Sequence, residues 1–210
     1  IRYLYQKTKR LRNSDNVSFR FGGDIYPNSA STISYTSTFN IKGQDGQEII
    51  ETSRPITSIL DIKEVEEESD WDHSLSYENK FDSKHKKLNG NLSYSYGSED
   101  ETENELSQNL TGNNSSVKNR NNFQSAIASL DYENKFGENF ALETGFKATL
   151  KQLGDDLSFL NDTYDYLYDE NIYAIYSTIG YDLSDRFGVK GGLRFEQVET
   201  LAEITGDTTR

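Results

Sequence analysis

The chain has no cysteine and no methionine, and only two of its 210 residues are proline. Without cysteine it can form no disulfide, zinc–thiolate site or thiol nucleophile. Apolar residues are also scarce, at 33% of the sequence. No apolar run approaches the ~20 residues that a membrane-spanning helix needs. The composition therefore excludes a spanning helix and argues against a water-soluble core.

Aromatic side chains, in contrast, are abundant, with 14 tyrosines and 11 phenylalanines. Disordered chains are poor in aromatic residues, so this composition argues against disorder. A large β-barrel in a membrane has both properties, because only its outward face must be apolar while its interior is polar. The composition therefore favours the wall of such a barrel.

Acidic residues dominate, and they are unevenly distributed. The net charge of −13 argues against binding of nucleic acid, whose phosphates need basic partners. Residues 43–70 hold nine acidic and two basic side chains, a net of −7. Residues 97–120 hold five and two (−3), and residues 153–170 hold six and none (−6). These stretches sum to −16, which leaves +3 elsewhere, so we predict that the acidity lies in the connections between strands.

Apolar and polar residues alternate along much of the chain, which is typical of strands with two different faces. The clearest cases are residues 17–25, 33–41, 88–96, 142–150 and 187–195. With further stretches from Ile1, Trp71, Phe123 and Asn171 we count about nine strands, each near the ten residues of a tilted span. The predicted fold is all-β, an antiparallel up-and-down transmembrane β-barrel.

Charged residues recur on the second face of these strands, where a soluble sandwich would need apolar side chains. A water-filled lumen accepts such charges. We therefore predict that the following residues face the lumen: Arg20, Asp24, Glu143, Lys147, Lys190, Arg194 and Glu196.

The connections alternate in length. The short ones are residues 27–31, 82–86, 137–139 and 184–186, and the long ones are the three acidic stretches. Residues 11–16 form a short link at a position where the alternation would place a long one. In outer-membrane barrels short turns face the periplasm and long loops face outside. We therefore expect the acidic loops to be extracellular.

An aromatic repeat marks the short turns. The sequence Tyr-Glu-Asn-Lys-Phe occurs at residues 77–81 and again at residues 132–136, each time just before a turn. Aromatic rings in these places form the girdle of a membrane barrel, although soluble hairpins also use cross-strand aromatic pairs. The predicted periplasmic girdle comprises Tyr77, Phe81, Tyr132, Phe136, Phe140, Tyr181 and Phe187.

Nothing in the sequence indicates catalysis, a cofactor or a metal centre. His73 and His85 have no ligands at metal-binding spacing, and no serine has an evident base beside it. Calcium around the acidic residues 155–169 remains an alternative, although the EF-hand spacing is missing. A related alternative is that divalent ions bridge the acidic loops to lipopolysaccharide. The predicted partners are membrane lipid and lipopolysaccharide.

Two strand segments resemble the TonB-dependent receptors of gram-negative outer membranes. Residues 168–176 (YDENIYAIY) resemble the family pattern Y-x-E-x-I-x-A-x-Y, and residues 191–196 (GGLRFE) resemble the following strand. The resemblance implies a barrel that imports a bulky solute, with a plug domain, with energy from inner-membrane TonB and with an outer-surface lipoprotein as a further partner. Neither the plug nor the TonB-coupling box is found in these 210 residues.

Two other functions stay open at this stage: a barrel without coupled transport (a porin, scaffold or adhesin) and a soluble secreted β-rich binding module. Nine is an odd number, whereas bacterial single-chain barrels have an even number of strands. Ile1 already lies in a strand-like pattern. We therefore expect residues 1–210 to be a segment of one barrel domain, with its edges covered by remaining strands or by another chain.

Overall fold

The computed structural model is a single sheet of eight long strands. It describes residues 5–53, 57–81, 85–108, 114–159, 162–184 and 186–208. The strands are β1 (Tyr5–Asn28), β2 (Ser31–Ser53), β3 (Thr57–Lys80), β4 (Lys86–Gln108), β5 (Ser115–Phe136), β6 (Phe140–Phe159), β7 (Asp162–Ser184) and β8 (Phe187–Thr208). Within these ranges no helix is long and apolar enough to cross a membrane.

Every strand pairs antiparallel with its neighbours in sequence, from β1 at one edge to β8 at the other. Among the described residues, β1 and β8 make no contact with each other. This confirms the predicted up-and-down topology and the prediction that the two edges do not pair.

The described residues form eight strands rather than nine, because the predicted link at residues 11–16 does not exist. Leu11 pairs with Gln47 and Asn16 pairs with Lys42, so the ladder continues through this segment. The first two predicted strands are therefore one strand, β1.

The prediction of three long loops is also wrong, since residues 43–70, 97–120 and 153–170 are mostly strand. Gly43 already pairs with Glu67, and the ladder between β2 and β3 runs on to Ser53 and Thr57. Only the tips, at residues 54–56, 109–113 and 160–161, lie outside the described residues. These stretches resembled loops because they are rich in acidic residues and do not continue the pattern of one apolar and one polar face, although the backbone groups remain paired.

The predicted short turns are found where the structure describes them. Residues 29–30 and 137–139 form turns, and Gly137 has a φ of 68°, which side chains other than glycine rarely adopt. The other two predicted turns fall partly on residues 82–84 and 185, outside the described residues. All four connections lie at one end of the sheet, which we call the turn end; the opposite end is the distal end.

Successive turns are staggered in one direction. Ser31 pairs with Asn79, one residue before β3 ends; Lys86 pairs with Asn134, two residues before β5 ends. Phe140 pairs with Tyr181, three residues before β7 ends. A steady stagger of this kind inclines the strands, which is the shear that a barrel wall requires.

The sheet has almost no apolar core. Among the described residues the only buried apolar side chain is Ala174, at 2% exposure. The described residues form no second layer on either face, so this part of the chain is a wall one sheet thick.

Candidate functional surfaces

The pairing register divides the side chains between two faces. Directly opposed residues of antiparallel strands lie on the same face, so Phe39, Trp71 and Tyr96 share one. This apolar face holds the odd-numbered residues of β1, β2, β3, β7 and β8 and the even-numbered residues of β4, β5 and β6. The remaining residues form the polar face.

The apolar face carries a continuous band of apolar side chains near the turn end. The band covers residues 33–41 in β2, 88–96 in β4, 140–150 in β6 and 187–195 in β8. Leu92, Leu130 and Ile175 lie in the band on strands that pair on both sides, yet they are 50%, 50% and 57% exposed. Nine to eleven residues per strand is the length of a tilted transmembrane strand.

Six of the seven predicted girdle residues lie on the apolar face at the turn end of this band: Tyr77, Tyr132, Phe136, Phe140, Tyr181 and Phe187. The seventh, Phe81, follows the last residue of β3 and has no pairing partner that assigns it to a face. Phe136 and Phe140 flank the β5–β6 turn with their ring centroids 5.6 Å apart. Their contact with lipid headgroups remains a prediction.

A second aromatic cluster, which the sequence analysis missed, lies in the distal part of the band. Trp71 lies at its centre, with Phe39, His73 and Tyr96 at centroid distances of 5.6, 5.1 and 6.1 Å. The Trp71 indole donates to Ser37 Oγ at 2.5 Å, and Tyr35 Oη lies 2.8 Å from His73 Nδ1. The alternating aromatics Phe19-x-Phe21 and Tyr94-x-Tyr96 were the available signal. His73 is therefore part of an aromatic cluster.

The seven predicted lumen residues all lie on the polar face. Lys190 forms an ion pair with Glu143 at 2.8 Å, and Arg194 forms one with Glu196 at 2.8 Å. Along the distal half of β5 the polar-face residues are partly buried while their neighbours on the apolar face are exposed. This alternation fits a sheet that curves toward its polar face.

One row across four strands of the polar face forms a specific joint. Asp131, Gly145, Tyr176 and Arg194 are successive partners on β5, β6, β7 and β8. The Tyr176 ring crosses over Gly145, where an added Cβ would lie 2.6 Å from the ring, and its hydroxyl donates to Asp131. The Arg194 guanidinium lies 5.5 Å from the centre of the same ring. The hydrogen bond from Tyr176 to Asp131 therefore links β7 to β5, which are not adjacent strands.

The structure does not gather the aspartates considered for calcium. Asp155 and Asp162 lie on the polar face, whereas Asp156, Asp165 and Asp169 lie on the apolar face. In the described ranges no group of three or more acidic or histidine side chains could hold a metal ion.

The outer membrane protein beta-barrel family has a sequence profile that matches residues 79–210, more than half of the chain. The chain belongs to this family. No curated protein matches it.

Solved outer-membrane receptors and transporters share the fold of this family member. The ferric yersiniabactin uptake receptor FyuA of Yersinia pestis matches 98% of the chain with a TM-score of 0.52 and 11% identity. The copper transporter OprC matches 96% at 0.50 and 10%, and the ferric citrate transporter FecA matches 95% at 0.50 and 9%. The chain spans 40%, 41% and 39% of the lengths of these three proteins.

Membership in the family accounts for the two-faced sheet. An outer-membrane barrel needs an apolar band ~25 Å tall on its outer surface and has a polar interior. This sheet has one band of this kind and one face rich in serine, threonine and charged residues. Its strands continue well past the band, as each is 20–24 residues long.

Proposed function

We propose that this chain forms part of the barrel wall of a TonB-dependent receptor that imports a bulky solute through a gram-negative outer membrane. The apolar face contacts lipid, and the polar face lines the interior. The acidic distal ends of the strands project outside the cell. The observation that carries the proposal is the staggered, two-faced sheet, which matches about two fifths of the FyuA, OprC and FecA chains.

The open edges support a barrel larger than these eight strands. Unpaired N–H and C=O groups on an edge strand cost several kcal/mol each in lipid, in rough terms. Further strands therefore cover β1 and β8, and residues 1–210 are one segment of a single barrel domain. The proposed receptor is a barrel of about 22 strands, the size class whose lumen holds a plug.

The proposal assigns no catalytic or cofactor chemistry to the chain. The ion pairs of the polar face, such as Lys190 with Glu143, serve to stabilise the wall. The further partners in this proposal are lipopolysaccharide, inner-membrane TonB and an outer-surface lipoprotein.

Planar-bilayer conductance separates a plugged receptor from a passive porin. We expect the protein purified from outer membranes to conduct no steady current, because a plug closes the interior of a receptor of this kind. Deletion of the inner-membrane coupling protein should then abolish solute accumulation in cells. A stable open-channel current in the intact protein would favour the porin alternative and contradict the proposal.

A further inference from the structure

The polar face changes character beyond the membrane band. On β3 it carries Glu64, Glu66 and Glu68, and these oppose Glu103, Glu101 and Glu99 of β4 directly. Glu105 continues the β4 row. We call these seven residues the acidic wall. All of them are partly buried. The pairing register places their charges close together on the concave side of the sheet.

The charges of the acidic wall are only partly neutralised. Lys42 bridges Glu66 and Glu68 at 2.6 and 3.2 Å, and Arg12 contacts Glu64 at 3.0 Å. In the described part of the chain, no cation lies within ion-pairing distance of the other four glutamates. Burial, and then the neighbouring carboxylates, raise the pKa of Glu101. Like charges directly opposite each other destabilise a sheet, so this arrangement serves something other than stability.

Two strands farther on, the same face is apolar and aromatic. On β6 this face carries Leu153, Leu157 and Phe159, with Asp155 between the two leucines, and on β7 it carries Tyr164, Tyr166 and Tyr168. We call the six apolar and aromatic residues among these the aromatic wall. Leu157, Phe159 and Tyr164 are 37%, 40% and 40% exposed, on strands that pair on both sides. At this place the polar face carries an exposed apolar patch, and contact of such a patch with water is unfavourable.

The two walls face the same space and are separated by β5. With strands ~4.8 Å apart, β3 and β7 lie roughly 19 Å from each other along the sheet. Asn119 Oδ1 on β5 lies between the walls, and Asp155 Oδ1 on β6 lies within the aromatic wall; both are screened from solvent and lack a hydrogen-bond donor among the described residues. From β3 to β7 the surface therefore presents negative charge, then an unpaired acceptor on β5, and then an apolar patch that contains a second unpaired acceptor.

We propose that this surface binds a peptide with a cationic end and an apolar end. The lysine or arginine side chains contact the acidic wall, and the apolar side chains pack on the aromatic wall. A separation of roughly 19 Å corresponds to about six residues of extended peptide, at ~3.3 Å per residue. Peptide N–H groups supply the donors that Asn119 Oδ1 and Asp155 Oδ1 lack. The inference rests on the proposed function, because it names the class of solute that the receptor captures.

The test uses the protein purified from outer membranes in detergent, with the synthetic peptide Lys-Lys-Lys-Gly-Leu-Leu-Leu-amide as the probe. We expect saturable binding that weakens steeply with added salt, because charge attraction brings the peptide in. The double variant Glu66→Gln with Glu101→Gln should weaken binding at least about tenfold, as should Tyr166→Ala.

Matched controls lie one residue away on the other face. Glu67 stands between Glu66 and Glu68, and Leu167 stands between Tyr166 and Tyr168, and both belong to the apolar face. We expect Glu67→Gln and Leu167→Ala to leave the affinity unchanged. The peptides Glu-Glu-Glu-Gly-Leu-Leu-Leu-amide and Lys-Lys-Lys-Gly-Ser-Ser-Ser-amide should bind at least about tenfold more weakly than the probe.

Equal binding of all three peptides would overturn the inference, as would equal losses in the wall variants and their controls. The binding assay needs no energy source, so its outcome is independent of coupled import. Probe binding by a protein that proves to be an open porin would refute only the proposed function. Energy-dependent uptake without probe binding would refute only the peptide assignment.

Discussion

Leu92 and Ser93 are neighbours at the middle of the apolar band in β4, and they lie on opposite faces of the sheet. An arginine at the bilayer midplane costs about 2–4 kcal/mol on the lipid face and far less in a polar lumen. We therefore expect Leu92→Arg to reduce assembly strongly, whereas Ser93→Arg should assemble normally. Outer-membrane fractionation and the heat-dependent gel shift of a folded barrel measure the difference. Equal effects of the two variants would mean that the faces are assigned the wrong way round.

Gly145 is needed because the Tyr176 ring occupies the space of a side chain there. Alanine at this position would place its Cβ 2.6 Å from the ring and would force Tyr176 away from Asp131. We expect Gly145→Ala to lower the free energy of unfolding by about 1–3 kcal/mol, which is typical of overpacking. The control is Gly43→Ala, since no atom lies within 4 Å of an added Cβ at Gly43. Urea titration in lipid vesicles measures both variants, and a larger loss in Gly43→Ala would contradict this role of Gly145.

At the scale of strands, the sequence predicts the membrane-spanning part well and the distal part poorly. Lipid on one side and a polar interior on the other impose strict alternation, so residues 33–41 and 88–96 were recognisable as strands. Beyond the band both faces of the sheet contact water. The alternation of apolar and polar residues therefore disappears between Gly43 and Ser53, although the backbone pairing of β2 continues there. The Asp131–Gly145–Tyr176 joint was not predictable either, because it depends on the register of three strands.

The distal half of the β3–β4 hairpin should respond to pH through Glu101. A carboxyl group with a raised pKa binds its proton more tightly in the folded hairpin than in the opened one. Stability should therefore rise as the pH falls from neutral toward that raised pKa. Hydrogen exchange of residues 97–108, corrected for the intrinsic rate, should show more protection at pH 5 than at pH 7.

Replacement of the charge should have the same effect at neutral pH. We expect Glu101→Gln to stabilise the hairpin by about 0.2–1 kcal/mol, toward the lower end where solvent screens the charges. Its protection should also depend less on pH. Glu138→Gln in the β5–β6 turn makes the same charge change at an exposed site at the other end of the sheet and should leave residues 97–108 unaffected. A fall in protection at pH 5 would contradict the expected direction of the pH dependence.

At the scale of the whole molecule, charge differs between the two ends of the sheet. The turn end carries Lys80, Lys86, Lys87 and Lys135, whereas the distal end carries the acidic wall. Both ends lie outside the apolar band, so the band fixes the depth of the sheet in the membrane but not its direction. We propose that the turn end faces the periplasm, because outer-membrane barrels keep their short turns there, and the strands run well past the band only on the distal side.

This orientation can be tested with single cysteines, because the chain has none of its own. Thr163 lies near the distal end and Asn139 lies in the β5–β6 turn, and both are exposed. We expect Thr163→Cys to react with a membrane-impermeant maleimide on whole cells, and Asn139→Cys to react only after the outer membrane is opened. Labelling of both in purified protein controls for accessibility. If Asn139→Cys reacted on whole cells and Thr163→Cys did not, the sheet would be inverted and the acidic and aromatic walls would face the periplasm, where they could not capture an external solute.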